Sequence, residues 1–168
     1  KIGDKTLIEI AIDYAKKSKQ TDEVIVSTDS QEVLKFIETN NLCKCFIRNV
    51  GLSGEAEVFE VYKDAWIKSG GKHDYVIGLQ PDNPDRKLNL DKVIDYVKEN
   101  NLDDFFTVNA DGKKNGGIRI FKNNLESITN PKVNTMLDAC INIHTESDLL
   151  LAASRIIINS NPLNLEAN

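Results

Sequence analysis

Near the start of the chain the apolar positions fall on one helical face. Within residues 6–19, Leu7, Ile8, Ala11, Ile12, Tyr14 and Ala15 recur at helical spacing, and Lys16, Lys17 and Lys19 fill the last turn, where cations complement the helix dipole. Residues 23–28 (EVIVST) switch to a short β-branched run, the pattern of a strand. It leads straight into a helix predicted over residues 30–40, with Asp29 as its cap and Glu32 reaching back to complete a capping box. Residues 42–47 predict a second strand. Residues 54–69 predict a third helix, capped by Ser53, with Glu55 and Glu57 in its first turn and Gly70-Gly71 closing it. A strand over 75–80, a turn-rich loop over 81–87, a helix over 89–100 with Leu90, Val93, Ile94 and Val97 on one face, and a strand over 104–109 continue the alternation. Then the rhythm changes. Asn115-Gly116-Gly117 leads into a strand over 118–121, and a strand over 139–143 runs into a helix over 149–158 capped from Thr145 and Asp148.

Strands alternating with helices of this length predict an α/β fold: a three-layer α/β/α domain around a doubly wound, mainly parallel sheet with right-handed crossovers. No repeat, low-complexity tract or linker interrupts the pattern, so one domain over residues 1–168 is expected. Phe59, Tyr62 and Trp66, at three- to four-residue spacing, are expected to face its core.

Composition narrows the function. A chain of 168 residues with 40% hydrophobic and 28% charged side chains can bury an adequate core without staples. A net charge of -5 supplies no broad positive field for a nucleic-acid backbone, which sets that class aside. No apolar run reaches the roughly 18 residues of a membrane span, and residues 1–4 lack the apolar core of a signal peptide, so no membrane association is expected. The chain begins with Lys1 rather than Met. Cys43 and Cys45 lie two apart and Cys140 is remote, so buried thiols in a reducing cytoplasm are expected rather than disulfides or zinc ligands. With only His73 and His144, a zinc centre or a His-dependent triad has few parts to draw on. The 18 Asn residues argue against a hyperthermophilic origin.

Ligands of such sheets bind beyond the carboxyl ends of the strands. The segments leaving those ends are 28–30, 48–53, 80–86, 109–117 and 142–145, and the loop from Leu79 to Arg86 is the most informative. Two prolines stiffen it. Gln80 can donate to and accept from sugar hydroxyls, Asp82 is a hard oxygen ligand for Mg²⁺, and Arg86 is a fork for a carboxylate or phosphate. Plainer roles stand beside these: the loop as a polar turn, Asp29 as a cap, His144 as a solvent-facing strand end, Lys113-Lys114 as a solvated turn, and Gly116-Gly117 as a hairpin.

Several separated segments carry a resemblance when taken in order. They are Ile2-Gly3-Asp4-Lys5-Thr6-Leu7-Ile8-Glu9, Val24-Ile25-Val26-Ser27-Thr28-Asp29-Ser30, Arg48-Asn49-Val50-Gly51-Leu52-Ser53, Leu79-Gln80-Pro81-Asp82-Asn83-Pro84, Asn115-Gly116-Gly117-Ile118 and Ile143-His144-Thr145-Glu146-Ser147-Asp148-Leu149. Together they resemble the cytidylyltransferases that activate acidic sugars: the CMP-acylneuraminate synthetases and the related 3-deoxy-manno-octulosonate enzymes, of nucleotide-diphospho-sugar transferase fold. The resemblance implies that CMP passes from CTP to the anomeric hydroxyl of an acidic sugar, with release of pyrophosphate, Mg²⁺ as cofactor, and a cytoplasmic homodimer. It assigns Arg48, Ser53 and Asp29 to the nucleotide, Gln80, Arg86, Asn115 and Gly116 to the sugar, Asp82 and His144 to the metal, and catalytic roles to Arg48 and Asp82.

Departures from the family pattern are equally specific. Asp82 matches the octulosonate branch, whereas the acylneuraminate branch has Thr there. Asn142-Ile143-His144 replaces a metal-holding D-I-D of the acylneuraminate branch, and Asn and His are poorer partners for a hard cation. The family's first strand and its Gly-rich, cationic triphosphate loop are expected to be missing from these 168 residues, and residues 109–115 are short for the excursion the family inserts there. The rival expectations are a non-catalytic nucleotide- or sugar-binding homologue and a receiver-like domain phosphorylated on Asp29. The latter lacks a preceding acidic pair and a matching lysine after its last strand.

Overall fold

The computed structural model describes residues 1–52 and 57–160. Helix α1 (Leu7–Lys16) starts at a complete capping box: Thr6 accepts from the Glu9 N–H, and Glu9 accepts from the Thr6 N–H at 2.7 Å. Strand β1 (Ile25–Thr28) is followed by α2 (Gln31–Thr39), β2 (Lys44–Ile47), α3 (Val58–Lys68) and β3 (Tyr75–Gly78). Then come α4 (Leu90–Glu99), β4 (Asp104–Val108), β5 (Lys114–Lys122), β6 (Val133–Leu137) and α5 (Glu146–Ser160). No helix among the described residues is long and apolar enough to cross a membrane.

The strands form two sheets. β1 and β2 pair in parallel, Ile25 opposite Lys44 through Thr28 opposite Ile47. The larger sheet has the order β3-β5-β4-β6. β5 is antiparallel to both β3 and β4, while β6 is parallel to β4, so three strands share a direction and β5 alone opposes them. The expected α/β class, with most strands co-directional, is the one found. The core lies where α4 covers this sheet: Val93 and Val97 meet Phe105, Ile118 and Ile120, all almost fully buried. Each such side chain contributes about 1.5–3 kcal/mol by leaving water.

Between β1 and β3 lies a cavity of about 660 Å³, walled by Ala11 and Ile12 of α1, Val61 and Ala65 of α3, and Ile94 of α4. α3 packs on both β1 and β3 and so spans the break between the sheets. Thr21 Oγ1 and Ser27 Oγ are buried along this slot without a hydrogen-bond partner.

Some expectations shift. The cap of α2 is Ser30, whose hydroxyl accepts from the Val33 N–H at 3.2 Å; Asp29 is exposed one residue earlier, so the box between Asp29 and Glu32 does not form. α3 starts at Val58 after Glu57, and Ser53 lies outside the described residues. The strand expected over 139–143 is not one. There the Ile141 N–H donates to Asp85 Oδ1 (2.7 Å) and the Ile143 N–H to the Asp82 carbonyl (2.9 Å), which docks the backbone on a loop instead of a sheet. The strand is earlier, at β6. Residues 109–113 close a hairpin between β4 and β5, with Gly112 at φ 79° and the Asn109 N–H on the Lys113 carbonyl, and Gly116 and Gly117 sit inside β5 rather than at its turn.

Candidate functional site

The polar residues of interest gather at the carboxyl ends of β1 and β3, as the rule for such sheets requires. Arg48 follows β2 directly, its N–H donating to the Thr28 carbonyl at 2.7 Å. Its guanidinium turns back, one nitrogen on the Ser27 carbonyl at 2.9 Å, while Nε is buried with no partner. Arg48, Leu52, Gln80 and Pro81 line the slot. Asp29, exposed after β1, adjoins Thr28, whose carbonyl takes the Arg48 N–H, but its own side chain stands in solvent.

The loop after β3 is fastened from several sides. Asn83 is fully buried, and neither atom of its amide has a partner; Oδ1 of Asp82 is likewise buried and unpartnered. Asp85, its side chain 0% exposed, accepts from the Ile141 N–H and from Arg155 NH1 at 3.1 Å, tying the loop to α5. Asp138 accepts from the N–H groups of Lys87 and Leu88, and its burial pushes the carboxyl above the usual range. Arg86 gives Nε to the Gly117 carbonyl (2.5 Å) and a terminal nitrogen to the Gln80 carbonyl, and its guanidinium stacks 5.5 Å from the Tyr14 ring. It therefore clamps the loop to β5, while its other terminal nitrogen is buried without a partner.

Asn115 is also spent. Its amide nitrogen donates to Asn109 Oδ1 (3.0 Å) and the Asp138 carbonyl (2.8 Å), and its oxygen accepts from Thr107 Oγ1 (2.6 Å) and the Gly117 N–H (3.0 Å). With two donors and two acceptors in use, nothing remains for a ligand. Its role is to hold Gly116 and Gly117 flat against the loop. A Cβ on Gly116 would come within 1.9 Å of Gln80 Oε1 and 2.5 Å of Asn83 Oδ1, a close approach that only glycine permits.

Gln80 is different. Its backbone is pinned, with N–H on the Gly116 carbonyl at 3.0 Å, and its amide lines both the slot and a second cavity of about 300 Å³ beyond it. That second cavity also takes in Tyr62, Lys114, Arg119 and Asn142. Arg119 is held by Asp104 through two bonds of 3.0 and 2.8 Å and lies over the rings of Phe59 and Phe121. Phe59 and Tyr62 pack on Phe121, as their spacing predicts, and Trp66 lines the slot with its indole N–H on the His73 carbonyl. Burial pushes the Tyr62 hydroxyl up to about 12 and the Cys140 thiol to about 11, so neither ionises near neutrality. Lys114, expected in a solvated turn, begins β5 instead and faces this cavity, while Lys113 stays in the turn paired with Asp111.

His144 belongs to the cap of α5. Its backbone N–H and that of Thr145 donate to Asp148 Oδ2, and the Asp148 N–H donates to Thr145 Oγ1, the capping box expected from the sequence. The Asp82 and His144 segments adjoin through the Ile143–Asp82 backbone bond, yet no group of three His, Cys, Asp or Glu side chains able to hold a metal occurs among the described residues. Mg²⁺ at nucleotide sites takes one or two carboxylates and fills the rest of its shell from phosphates and water, and the orphaned oxygen of Asp82 suits that demand. Residue spacing alone could not reveal Tyr62, Lys114 and Arg119 as neighbours of Gln80, because β5 and α3 bring them there from distant positions.

The family model described as Cytidylyltransferase matches residues 1–139. An uncharacterized protein of Methanocaldococcus jannaschii is 32% identical over 111 residues, covering 65% of this chain and 44% of that protein, so the chain spans under half the length of this curated relative. Among solved structures, CMP:2-keto-3-deoxy-manno-octonic acid synthetase complexed with CTP superposes with a TM-score of 0.71 at 12% identity, covering 95% of this chain and 90% of the other. The 4-diphosphocytidyl-2C-methyl-D-erythritol synthase of Anaerococcus prevotii gives 0.60 at 12% identity, covering 94% and 88%. At such identities these two likenesses speak for the fold.

Proposed function

We propose, from the premise that this chain belongs to the cytidylyltransferase family, that it transfers CMP from CTP to the anomeric hydroxyl of an acidic sugar, an acylneuraminate or related acid, and releases pyrophosphate. One observation carries this reading: the Gln80 amide stands at the junction of two cavities, one rimmed by Arg48 and the other by Lys114 and Arg119. A reaction joining a nucleotide to a second substrate needs two adjoining compartments with a polar group at the seam.

On the nucleotide side, the buried, unpartnered Nε of Arg48 leaves a donor for phosphate or base, Ser53 follows it five residues on, and Asp29 adjoins the Thr28 carbonyl that takes the Arg48 N–H. On the sugar side, Gln80 orients a hydroxyl, and Gly116 leaves room for it to do so. Arg86 and Asn115 act as positioning residues that fix the Gln80 carbonyl and the Gly116 backbone. Asp82 would hold Mg²⁺, with His144 at the adjoining segment; the metal supplies neutralisation of charge on the triphosphate as pyrophosphate leaves. The protein's own part is orientation and exclusion of water, since direct attack by the sugar hydroxyl on the α-phosphate calls for no covalent nucleophile. Two chains would associate as a homodimer in the cytoplasm.

Thermal melting of the full chain with CTP and Mg²⁺, followed by a pyrophosphate-release assay with N-acetylneuraminic acid and 3-deoxy-manno-octulosonic acid, tests the proposal. The expected result is a rise in Tm with CTP, by mass action, and pyrophosphate release with one of the acids. No CTP-dependent shift sinks the reading. A shift with sugar binding but no release favours the non-catalytic homologue instead, which the sparse metal ligands among the described residues would suit.

A further inference from the structure

The second cavity contains three charged side chains: Glu57, Lys114 and Arg119. Their availability differs. The charge of Arg119 is already matched, because two of its nitrogens sit on the two carboxylate oxygens of Asp104 and both side chains are largely buried. Its face is covered by the rings of Phe59 and Phe121 at 4.9 and 5.2 Å. Lys114 has no carboxylate within 4.0 Å among the described residues; its ammonium rests 4.7 Å above the Phe106 ring, a contact that steadies a cation without neutralising it. Burial, then the charge of Arg119, hold the lysine below its usual range, as befits a cation waiting for an anion.

Apart from the solvent-exposed carboxylate of Glu57, the lining fits a polyol bearing one negative charge. The Gln80 and Asn142 amides reach the same space, Tyr62 forms an aromatic wall, and about 300 Å³ falls at the lower end of the range for small-molecule sites, roughly 300–1,000 Å³. Asn115 cannot compete for the ligand, since its amide is saturated.

We propose that Lys114 is the residue that selects an acidic sugar: its ammonium pairs with the substrate carboxylate while Gln80 and Asn142 take hydroxyls. This assignment rests on the cytidylyltransferase reading and adds to it the group that distinguishes an acid from a neutral sugar. Lys114 sits at the solvent-side start of β5, where substitution disturbs no buried pair.

The test compares each sugar acid with its methyl ester, using N-acetylneuraminic acid and 3-deoxy-manno-octulosonic acid as probes. Binding in the presence of CTP is measured by calorimetry and turnover by pyrophosphate release, for wild type, Lys114→Gln and Lys114→Arg. A charge-assisted bond is worth about 1.5–3 kcal/mol, or roughly 10- to 150-fold. Lys114→Gln should therefore lose about that factor for the acid and almost nothing for the ester, Lys114→Arg should restore much of it, and CTP affinity should not move. An acid-to-ester preference that survives unchanged in folded Lys114→Gln overturns the assignment while leaving the function standing. Failure of the wild type to bind either acid alongside CTP overturns both.

Discussion

At the scale of single residues, the site depends on polar groups whose bonds are already committed and on the few that are left open. Gly116 is the sharpest case, because its missing side chain is where Gln80 and Asn83 lie. Gly116→Ala should push the flexible Gln80 amide aside more readily than the buried Asn83. We expect a stability loss of about 1–3 kcal/mol, as for an overpacked site. Turnover should fall on the order of 10²-fold, because an ångström of misplacement is costly in a positioned reaction. Chemical denaturation and kcat/KM on the same preparation check both. A variant that turns over normally would remove Gln80 from the seam. Arg119→Ala should instead act on the fold: it leaves Asp104, with a side chain only 12% exposed, without its cation, and breaking such a pair costs about 3–5 kcal/mol in denaturation experiments.

Among the elements, helix caps are where charge and stability meet. Glu9 and Asp148 each complete a capping box, and the hydrogen bonds from Thr6 and from Thr145 hold their carboxyls below the ordinary values of 4.5 and 3.8. A depressed folded pKa stabilises the fold above the unfolded pKa and gives that stability up as pH falls through the folded one. The wild type should thus lose Tm more steeply than a Glu9→Gln, Asp148→Asn double variant as pH falls through 4.5 and then 3.8, with parallel curves near neutral pH. Parallel curves throughout would show the caps to be electrostatically idle. Asp138, raised by burial, works the other way and favours the fold as pH falls. At neutral pH, Thr145→Ala should cost about 1 kcal/mol, read from denaturation midpoints. How legible each element was depended on burial. β1 and β3 were plain because their apolar, β-branched runs are bounded by polar and turn residues, and α4 because Leu90, Val93, Ile94 and Val97 form one buried face. β6 hid because Val133 and Leu137 are exposed on an edge strand and show no apolar alternation. Cys140, Ile141 and Ile143 imitated a strand, but their backbone is held by Asp85 and Asp82, a partnership that no local pattern encodes. The loop at Gln80 stood out through its prolines and polar groups. The saturation of Asn115 and the solitary charge of Lys114 are products of tertiary pairing and surface only in three dimensions.

On the scale of the whole molecule, α3 bridges two sheets that share no strand ladder, and the slot between β1 and β3 lies under that bridge. Structural cooperativity travels along hydrogen-bonded ladders and packed cores, and units joined by few contacts open separately. Among the described residues, β1 meets the rest of the fold mainly through the α3 seam, with Lys16 of α1 on the Leu42 carbonyl as a further tie, whereas β4 and β5 are locked by paired neighbours and by the Phe105–Ile118–Ile120 core. Amide hydrogen exchange should therefore resolve two tiers of protection, the amides of β1 and β2 exchanging through a local event of low free energy and those of β4 and β5 only through global unfolding. One uniform tier would mean that the seam transmits stability as well as a ladder does. With two tiers, Arg48 and Gln80 stand on opposite sides of a mechanical fault line, and a nucleotide spanning them would be felt first as slower exchange in β1 and β2, before any change in the rest of the protein.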